Sequence, residues 1–205
     1  MAVGDPYAEL ASLKSWFKIG DTADDSELQI AVDSASRGIE DHCHRQFNDA
    51  GSATARVYQP ESKCWVVVDD FSTTTGLIVK TDEDDDGVYE TTWSASEFEV
   101  RPVNGVVNGR PGYPYWEVRT LGSRYFPTTV QRPAVQVTAR WGWAAVPKPV
   151  EQACLILAAE GFKLKDAPFG VAGFSEFGAV RVRDNPVVAR MLAEYVRDSW
   201  LLVQT

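Results

Sequence analysis

The period of the apolar residues changes twice along this chain, and that change limits the folds open to it. Leu28, Val32, Ala35, Ile39 and Cys43 recur at intervals of three and four, while Glu27, Asp33, Arg37 and Glu40 take the opposite side. Such spacing gathers apolar residues on one face only in a helix. From about residue 53 the pattern becomes short β-branched and aromatic runs: Arg56-Val57-Tyr58, Cys64 to Val68, Leu77 to Lys80, Phe98 to Arg101, Trp116 to Thr120 and Ala134 to Trp141. Pro, Gly, Asn and Asp separate them, as in a small antiparallel sheet. Helical spacing returns after Pro147 with Val150, Ala153, Cys154, Leu157, Ala158 and Phe162. Ile156 and Ala159 widen that apolar arc past half the circumference, so this helix should be buried on several sides. The pattern predicts an α+β fold: a small bundle of about four helices from residues 1–52 and 140–205, with an antiparallel β-domain inserted over 53–139.

Local signals place the remaining boundaries. Asp5-Pro6 reads as N-cap and first helical residue, followed by Leu10, Leu13, Trp16 and Phe17, with Gly20 as the stop. The acids from Asp21 to Asp25 suit the start of the second helix. Asn104-Gly105 and Asn108-Gly109 predict turns with positive φ. Pro168 should stop the third helix. Phe169 to Gly178 is a Gly-rich aromatic segment, and Val180 to Arg183 alternates like a short strand. Asp184-Asn185-Pro186 is a further helix start. It leads into Val187, Val188, Met191, Leu192, Tyr195 and Trp200.

Charge and cysteine usage narrow the function classes. The formal net charge is −9. Phosphate contacts come from Lys and Arg, so tight nucleic-acid binding is disfavoured. Passive passage of DNA past an acidic wall is compatible with it. Cys43, Cys64 and Cys154 are widely spaced and form no disulfide framework or C-x-x-C motif. A reducing cytoplasm is therefore the expected site of folding. No signal peptide and no membrane span are read from the sequence.

The chemistry-bearing candidates are few. His42-Cys43-His44 holds the only two histidines. Helical residues two apart point about 200° from each other, so the pair cannot share one metal on a helix. Cys43 lies on the apolar stripe and reads as a small buried hydrophobe. Asp82-Glu83-Asp84-Asp85-Asp86-Gly87 could attract calcium but lacks the full loop pattern. If extended, its alternate acids face apart, and a solvated hairpin tip is the favoured reading. No nucleophile elbow, P-loop or dinucleotide fingerprint is present. No catalytic residue, metal site or cofactor is expected. Trp65, Trp93, Tyr113, Tyr115, Trp116, Tyr125, Phe126, Trp141 and Trp143 are mostly core by this reading, with about a third left for contact surfaces.

Two segments resemble the head–tail connector (adaptor) family of long-tailed bacteriophages. The first runs from Leu10 to Phe47 and includes Leu28-x-x-Ala31-Val32-x-x-Ala35-x-x-x-Ile39-Glu40 and His44-Arg45-Gln46-Phe47. The second runs from Val137 to Tyr195. It holds Trp141-Gly142-Trp143-x-x-Val146-Pro147-x-x-Val150-x-x-Ala153, then Ala167 to Val171, Asp184-Asn185-Pro186 and Leu192-x-x-Tyr195. The middle β-region matches only loosely, and the family's smallest members are nearly all helical. The resemblance implies a structural, non-enzymatic virion subunit made in the host bacterial cytoplasm and placed at the head–tail interface. It implies a ring, typically of twelve copies, beneath the portal, with a tail-side stopper protein as partner and genomic DNA passing through. The residues expected to touch the portal or a neighbouring copy are Phe169, Gly170, Val171, Phe174, Phe177, Arg181, Arg183, Tyr195 and Trp200. Two other readings compete: a carbohydrate- or host-binding β-module of a virion, and a metal-dependent hydrolase built on His42, Cys43 and His44.

Overall fold

The computed structural model describes residues 4–128, 130–164 and 185–197. In chain order they form α1 (Leu10–Phe17), α2 (Asp25–Cys43), β1 (Asp49–Tyr58), β2 (Trp65–Phe71), β3 (Ile78–Thr81), β4 (Thr91–Thr92), β5 (Phe98–Arg101), β6 (Tyr115–Thr120), β7 (Val135–Gly142), α3 (Lys148–Leu164) and α4 (Pro186–Leu192). The α+β class, with a β-region between helical segments, is the one the sequence predicts. The chain divides into a helical unit, which takes in Phe47 and resumes at Ala145, and a sheet unit from Asn48 to Ala144.

The α2 stripe organises the helical unit. Leu28, Val32, Ile39 and Cys43 are fully buried, and Ala35 nearly so. Each fully buried Leu, Val or Ile side chain contributes about 1.5–3 kcal/mol. α3 packs against α1, α2 and α4. Val150, Ala153, Cys154, Leu157, Ala158 and Ala159 are buried along it, which accounts for its wide apolar arc. The short α1 adds Leu13 to this core and sets Phe17 against Phe162, ring centroids 5.3 Å apart.

Two helix boundaries differ from the sequence reading. α1 begins at Leu10, not at Pro6, and Glu9 is its N-cap. Tertiary bonds hold the preceding residues off the helical path. The Tyr7 N–H donates to Ser36 Oγ (2.9 Å), the Tyr7 hydroxyl donates to Glu40 (2.5 Å), and Arg37 donates to the Asp5 carbonyl (3.2 Å). Nor does Gly20 terminate α1. Lys18 takes the left-handed conformation (φ 58°), and His44 does the same after α2 (φ 51°), its N–H bonding Glu40 O at 2.7 Å.

In the sheet unit β7 is central. The strand order is β4-β3-β7-β2-β6-β5, and β1 lies along the other edge of β7. All pairings are antiparallel. β1 pairs Ala53–Tyr58 with Arg140–Val135, while β3 pairs Ile78–Thr81 with Thr138–Val135. β2 meets β7 only at Phe71 and Trp141. Val135, Val137, Ala139 and Trp141 alternate into a core with Val66, Val68, Phe71, Val79 and Val118. β1 starts at Asp49, well before the Arg56 run. Its first half, Ala50 to Ala55, has little β-branched or aromatic character, so pairing with β7 and not propensity makes it a strand. β4 is two residues long and has no sequence period of its own. The two Asn-Gly turns form as expected: Asn104, Gly105, Asn108 and Gly109 all have positive φ, and Val107 and Arg110 exchange both backbone bonds across the second.

Candidate functional site

Of the predicted contact residues only Tyr195, which follows α4, is among those described. Asn185 caps α4 as the sequence indicates, accepting from the N–H groups of Val187 (3.0 Å) and Val188 (3.1 Å), with Pro186 at the first helical position. Asn185 also donates to Glu160 on α3 at 2.6 Å. Val188 and Leu192 are buried, and Val187 is exposed. Tyr195 is half-buried and meets Phe47 edge-on at 5.9 Å, so part of its ring is committed within the chain. Phe47 in turn meets Tyr7 edge-on at 5.6 Å. The other residues of the set, namely Phe169, Gly170, Val171, Phe174, Phe177, Arg181, Arg183 and Trp200, lie outside the described residues. So do the expected stop at Pro168 and the short strand from Val180 to Arg183.

His42-Cys43-His44 does not form a site. Cys43 is fully buried, and burial pushes its thiol up to about 12. A thiol so placed is neutral at physiological pH and a poor nucleophile. His44 is exposed in its left-handed position. Burial, and then the neighbouring His44, push the His42 imidazole below its usual range. Burial likewise raises the Cys154 thiol to about 11, and Cys154 packs 3.3 Å from Ser36 Oγ.

The acidic loop is coiled, not extended, which corrects the geometry assumed from sequence. Asp85 (φ 65°) and Gly87 (φ 91°) bend it, and Asp82, Asp84 and Asp86 each bring one oxygen within 4.8 Å of the others. The carboxylates are occupied in holding this shape. Asp82 accepts from the N–H groups of Asp85 and Gly87, both at 2.8 Å. Burial acts to raise the Asp82 carboxyl, but these donors outweigh it and hold it below the usual range. Asp85 accepts from the N–H groups of Gln131 (3.2 Å) and Arg132 (3.1 Å), and the Arg132 side chain donates to the Asp86 carbonyl (2.9 Å). The arrangement is a braced loop, and no metal is assigned to it.

Of the aromatic residues singled out in the sequence, Trp93, Phe126, Trp141 and Trp143 are buried. Trp93 stacks on Phe126 at 4.6 Å, and Trp143 donates to Asp70 at 3.0 Å. Trp65 and Tyr125 are exposed, each beside a cation: Arg119 lies 6.0 Å from the Trp65 ring and Lys63 Nζ 5.0 Å from the Tyr125 ring. Trp16 and Ile30 are exposed on the helical unit. The sequence reading missed the first half of β1, Asp49 to Ala55, as a strand. Its small residues carried no strand signal. Among the described residues no helix is long and apolar enough to cross a membrane.

Residues 7–96 match the family model of phage gp6-like head-tail connector proteins. This is the family that the sequence resembles. The match covers the Leu10–Phe47 segment and continues through β1 to β4, whereas the second segment of resemblance, Val137 to Tyr195, lies outside it. The fold is also similar to a chain in a structure titled "Neck of empty GTA particle computed with C6 symmetry", with 18% identity and a TM-score of 0.58 over 94% of this chain and 90% of that one. Coverage this wide includes most of the sheet unit, which is therefore not an addition peculiar to this chain. No curated protein sequence gives a significant match. Over residues 7–96, then, the chain is similar in sequence to phage head-tail connector proteins, and in fold it is similar to a chain of that neck structure.

Proposed function

We propose that this protein is a structural subunit of the virion neck: a head–tail adaptor that forms a ring beneath the portal, extends the DNA channel and joins head to tail. The observation that carries this reading is the connector-family match over residues 7–96, which takes in the whole α2 stripe and the first strands of the sheet. The likeness to a chain from a neck structure supports it at the level of fold. The chemistry agrees with a non-enzymatic role. The thiols of Cys43 and Cys154 are buried and neutral, and the acidic loop is braced by its own backbone.

In this reading the partners are the portal, neighbouring copies in a ring of about twelve by the family resemblance, and a stopper protein on the tail side. Genomic DNA passes through without specific contacts, because a chain of net charge −9 offers an acidic wall more readily than a basic one. The loop from Pro168 to Val182 and the last helix provide the portal or neighbour contact. The test is negative-stain imaging of the protein mixed with portal rings of the same phage. A collar of added density under the portal, with a countable symmetry, is the expected result. A chain that stays monomeric and adds no density at high concentration would overturn the proposal.

A further inference from the structure

At one end of the β2–β6 pair the sheet unit gathers exposed aromatic and cationic side chains. The carbonyls of Cys64 and Lys63 accept from the N–H groups of Thr120 and Phe126, both at 2.9 Å. Trp65 stands opposite Arg119 in the register. These bonds bring Lys63, Trp65, Arg119, Leu121 and Tyr125 together, and all five are exposed. Lys63 Nζ lies 5.0 Å from the Tyr125 ring and, among the described residues, makes no ion pair. The neighbouring acids leave this positive character in place. Glu61 accepts from the Val67 N–H at 3.0 Å, and only Arg119 is offset, by the buried Glu117. Exposed aromatic and aliphatic side chains grouped in this way, with a charge at the rim, mark a contact surface.

The helical unit carries a surface of complementary character. Around α2, Glu27, Ile30, Asp33 and Asp41 fall opposite the buried stripe of Leu28, Val32, Ala35, Ile39 and Cys43. All four are exposed, and Ile30, at 64%, is the most exposed large apolar side chain among the described residues. Glu27 bonds Ser26 and Asp33 bonds Gln29, both on α2 itself. Among the described residues none of the three acids makes an ion pair. Arg37, on the same face, is held by Glu40 (2.9 Å) and the Asp5 carbonyl (3.2 Å). The face therefore presents one aliphatic side chain set among negative charges.

We propose that the Lys63, Trp65 and Tyr125 patch of one copy receives the outer face of α2 from a second copy. Ile30 then packs against the apolar side chains of the patch, with Glu27 and Asp33 toward Lys63 and Arg119. A helix seated by an apolar anchor is a recurring mode of recognition. Charge selects this pairing. Two chains of net charge −9 repel over most of their surfaces, so copies meet best where a cation faces an acid. The exposed acids of the 82–86 loop are a poorer occupant. Arg124, next to Tyr125 in the chain, contacts both Glu83 (3.5 Å) and Glu97 (2.9 Å), so that loop lies near the patch on the same unit. Patch against loop would pair two copies about a two-fold axis and stop at a dimer. A helix face on a sheet patch is a heterologous contact, which repeats around a ring. The inference therefore rests on the ring proposed above.

The test uses the full chain mixed with portal rings and imaged in negative stain. Lys63→Glu should lower the yield of collars at least tenfold, and so should Glu27→Lys combined with Asp33→Lys. All three substitutions together restore opposite charges across the contact and should recover most of the yield. Melting curves matching that of the parent show that these exposed substitutions leave the fold intact. In parallel, copies carrying Ile30→Cys are mixed with copies carrying Tyr125→Cys, both on a Cys64→Ser background because Cys43 and Cys154 are buried. A short bismaleimide should then link two different copies within the collar. Collars that form equally well with Lys63→Glu, or that give no such link, overturn the inference and leave the adaptor reading standing. A loss that the triple variant does not recover assigns the patch to another partner and overturns it too. Absence of collars with the parent chain overturns both.

Discussion

Gly142→Ala should be far more damaging than its single added methyl suggests. Gly142 closes β7 between the buried Trp141 and Trp143, opposite Asp49, with φ at 93°. An L-residue held at such a φ costs about 1–2 kcal/mol by itself. The added Cβ would also lie 1.7 Å from the Asn48 carbonyl oxygen and 2.8 Å from its carbon. Those are backbone atoms, so relief requires the start of β1 to move by more than an ångström, at the upper end of the roughly 1–3 kcal/mol of ordinary overpacking. The sum is about 3–5 kcal/mol. Gly51→Ala is the matched control, because Gly51 also has positive φ (75°) but open space around its Cβ position, so only the conformational part, about 1–2 kcal/mol, applies. Urea unfolding followed by tryptophan fluorescence reads the buried Trp141 and Trp143 directly. With slopes of about 1–3 kcal/mol per molar, the two variants should differ in midpoint by about 1 M or more. Midpoints that agree within error would refute the steric argument.

Three further outcomes are expected. Tyr7→Phe removes the donor to Glu40 and the acceptor of the buried Phe47 N–H, and should cost about 1–3 kcal/mol in thermal unfolding; an unchanged melt would show that the hydroxyl does not hold these segments together. Asn185→Ala removes the acceptor for two N–H groups and should cost about 1 kcal/mol; hydrogen exchange of the first α4 amides checks it, and unchanged protection would count against the cap. Stability should fall in acid. Asp49 is held low by Arg140, Glu97 by the Ser94 N–H and then Arg124, and Asp82 by the N–H groups that outweigh its burial. The unfolded chain then takes up protons first, so the contribution is complete above about pH 5 and is lost as pH falls below ~4. A melting temperature flat from pH 6 to pH 3 would contradict it.

The helical unit was the more legible part of the sequence because its information is local. The α2 stripe and the Asn185-Pro186 start are set by near neighbours in the chain. The start of α1 was hidden because Tyr7 answers to Ser36 and Glu40 and not to Pro6. The stop signal at Gly20 misled for a related reason: Lys18 and His44 adopt left-handed positions that composition does not announce. In the sheet unit, runs rich in valine and aromatic residues declared themselves. The Ala-Gly-Ser-rich half of β1 and the two residues of β4 did not, since both become strands only against a partner far off in sequence. The coiling of the acidic loop depends on Gln131 and Arg132, more than forty residues away. Of the predicted contact set only Tyr195 falls among the described residues, against Phe47.

The central place of β7 sets an order of events during synthesis. Among the described residues the strand that joins the sheet is the last of the seven in chain order, so β1 to β6 wait for it as an incomplete sheet. The helical unit waits longer, because α1 and α2 pack on α3, which follows β7 in the chain. Pairing Asp49 with Gly142 brings the two ends of the intervening stretch together. Closing a flexible loop of that length would otherwise cost roughly 4 kcal/mol of chain entropy. The sheet thus acts on its neighbour as a covalent crosslink would: once folded, it turns a distant pair of helices into a local one.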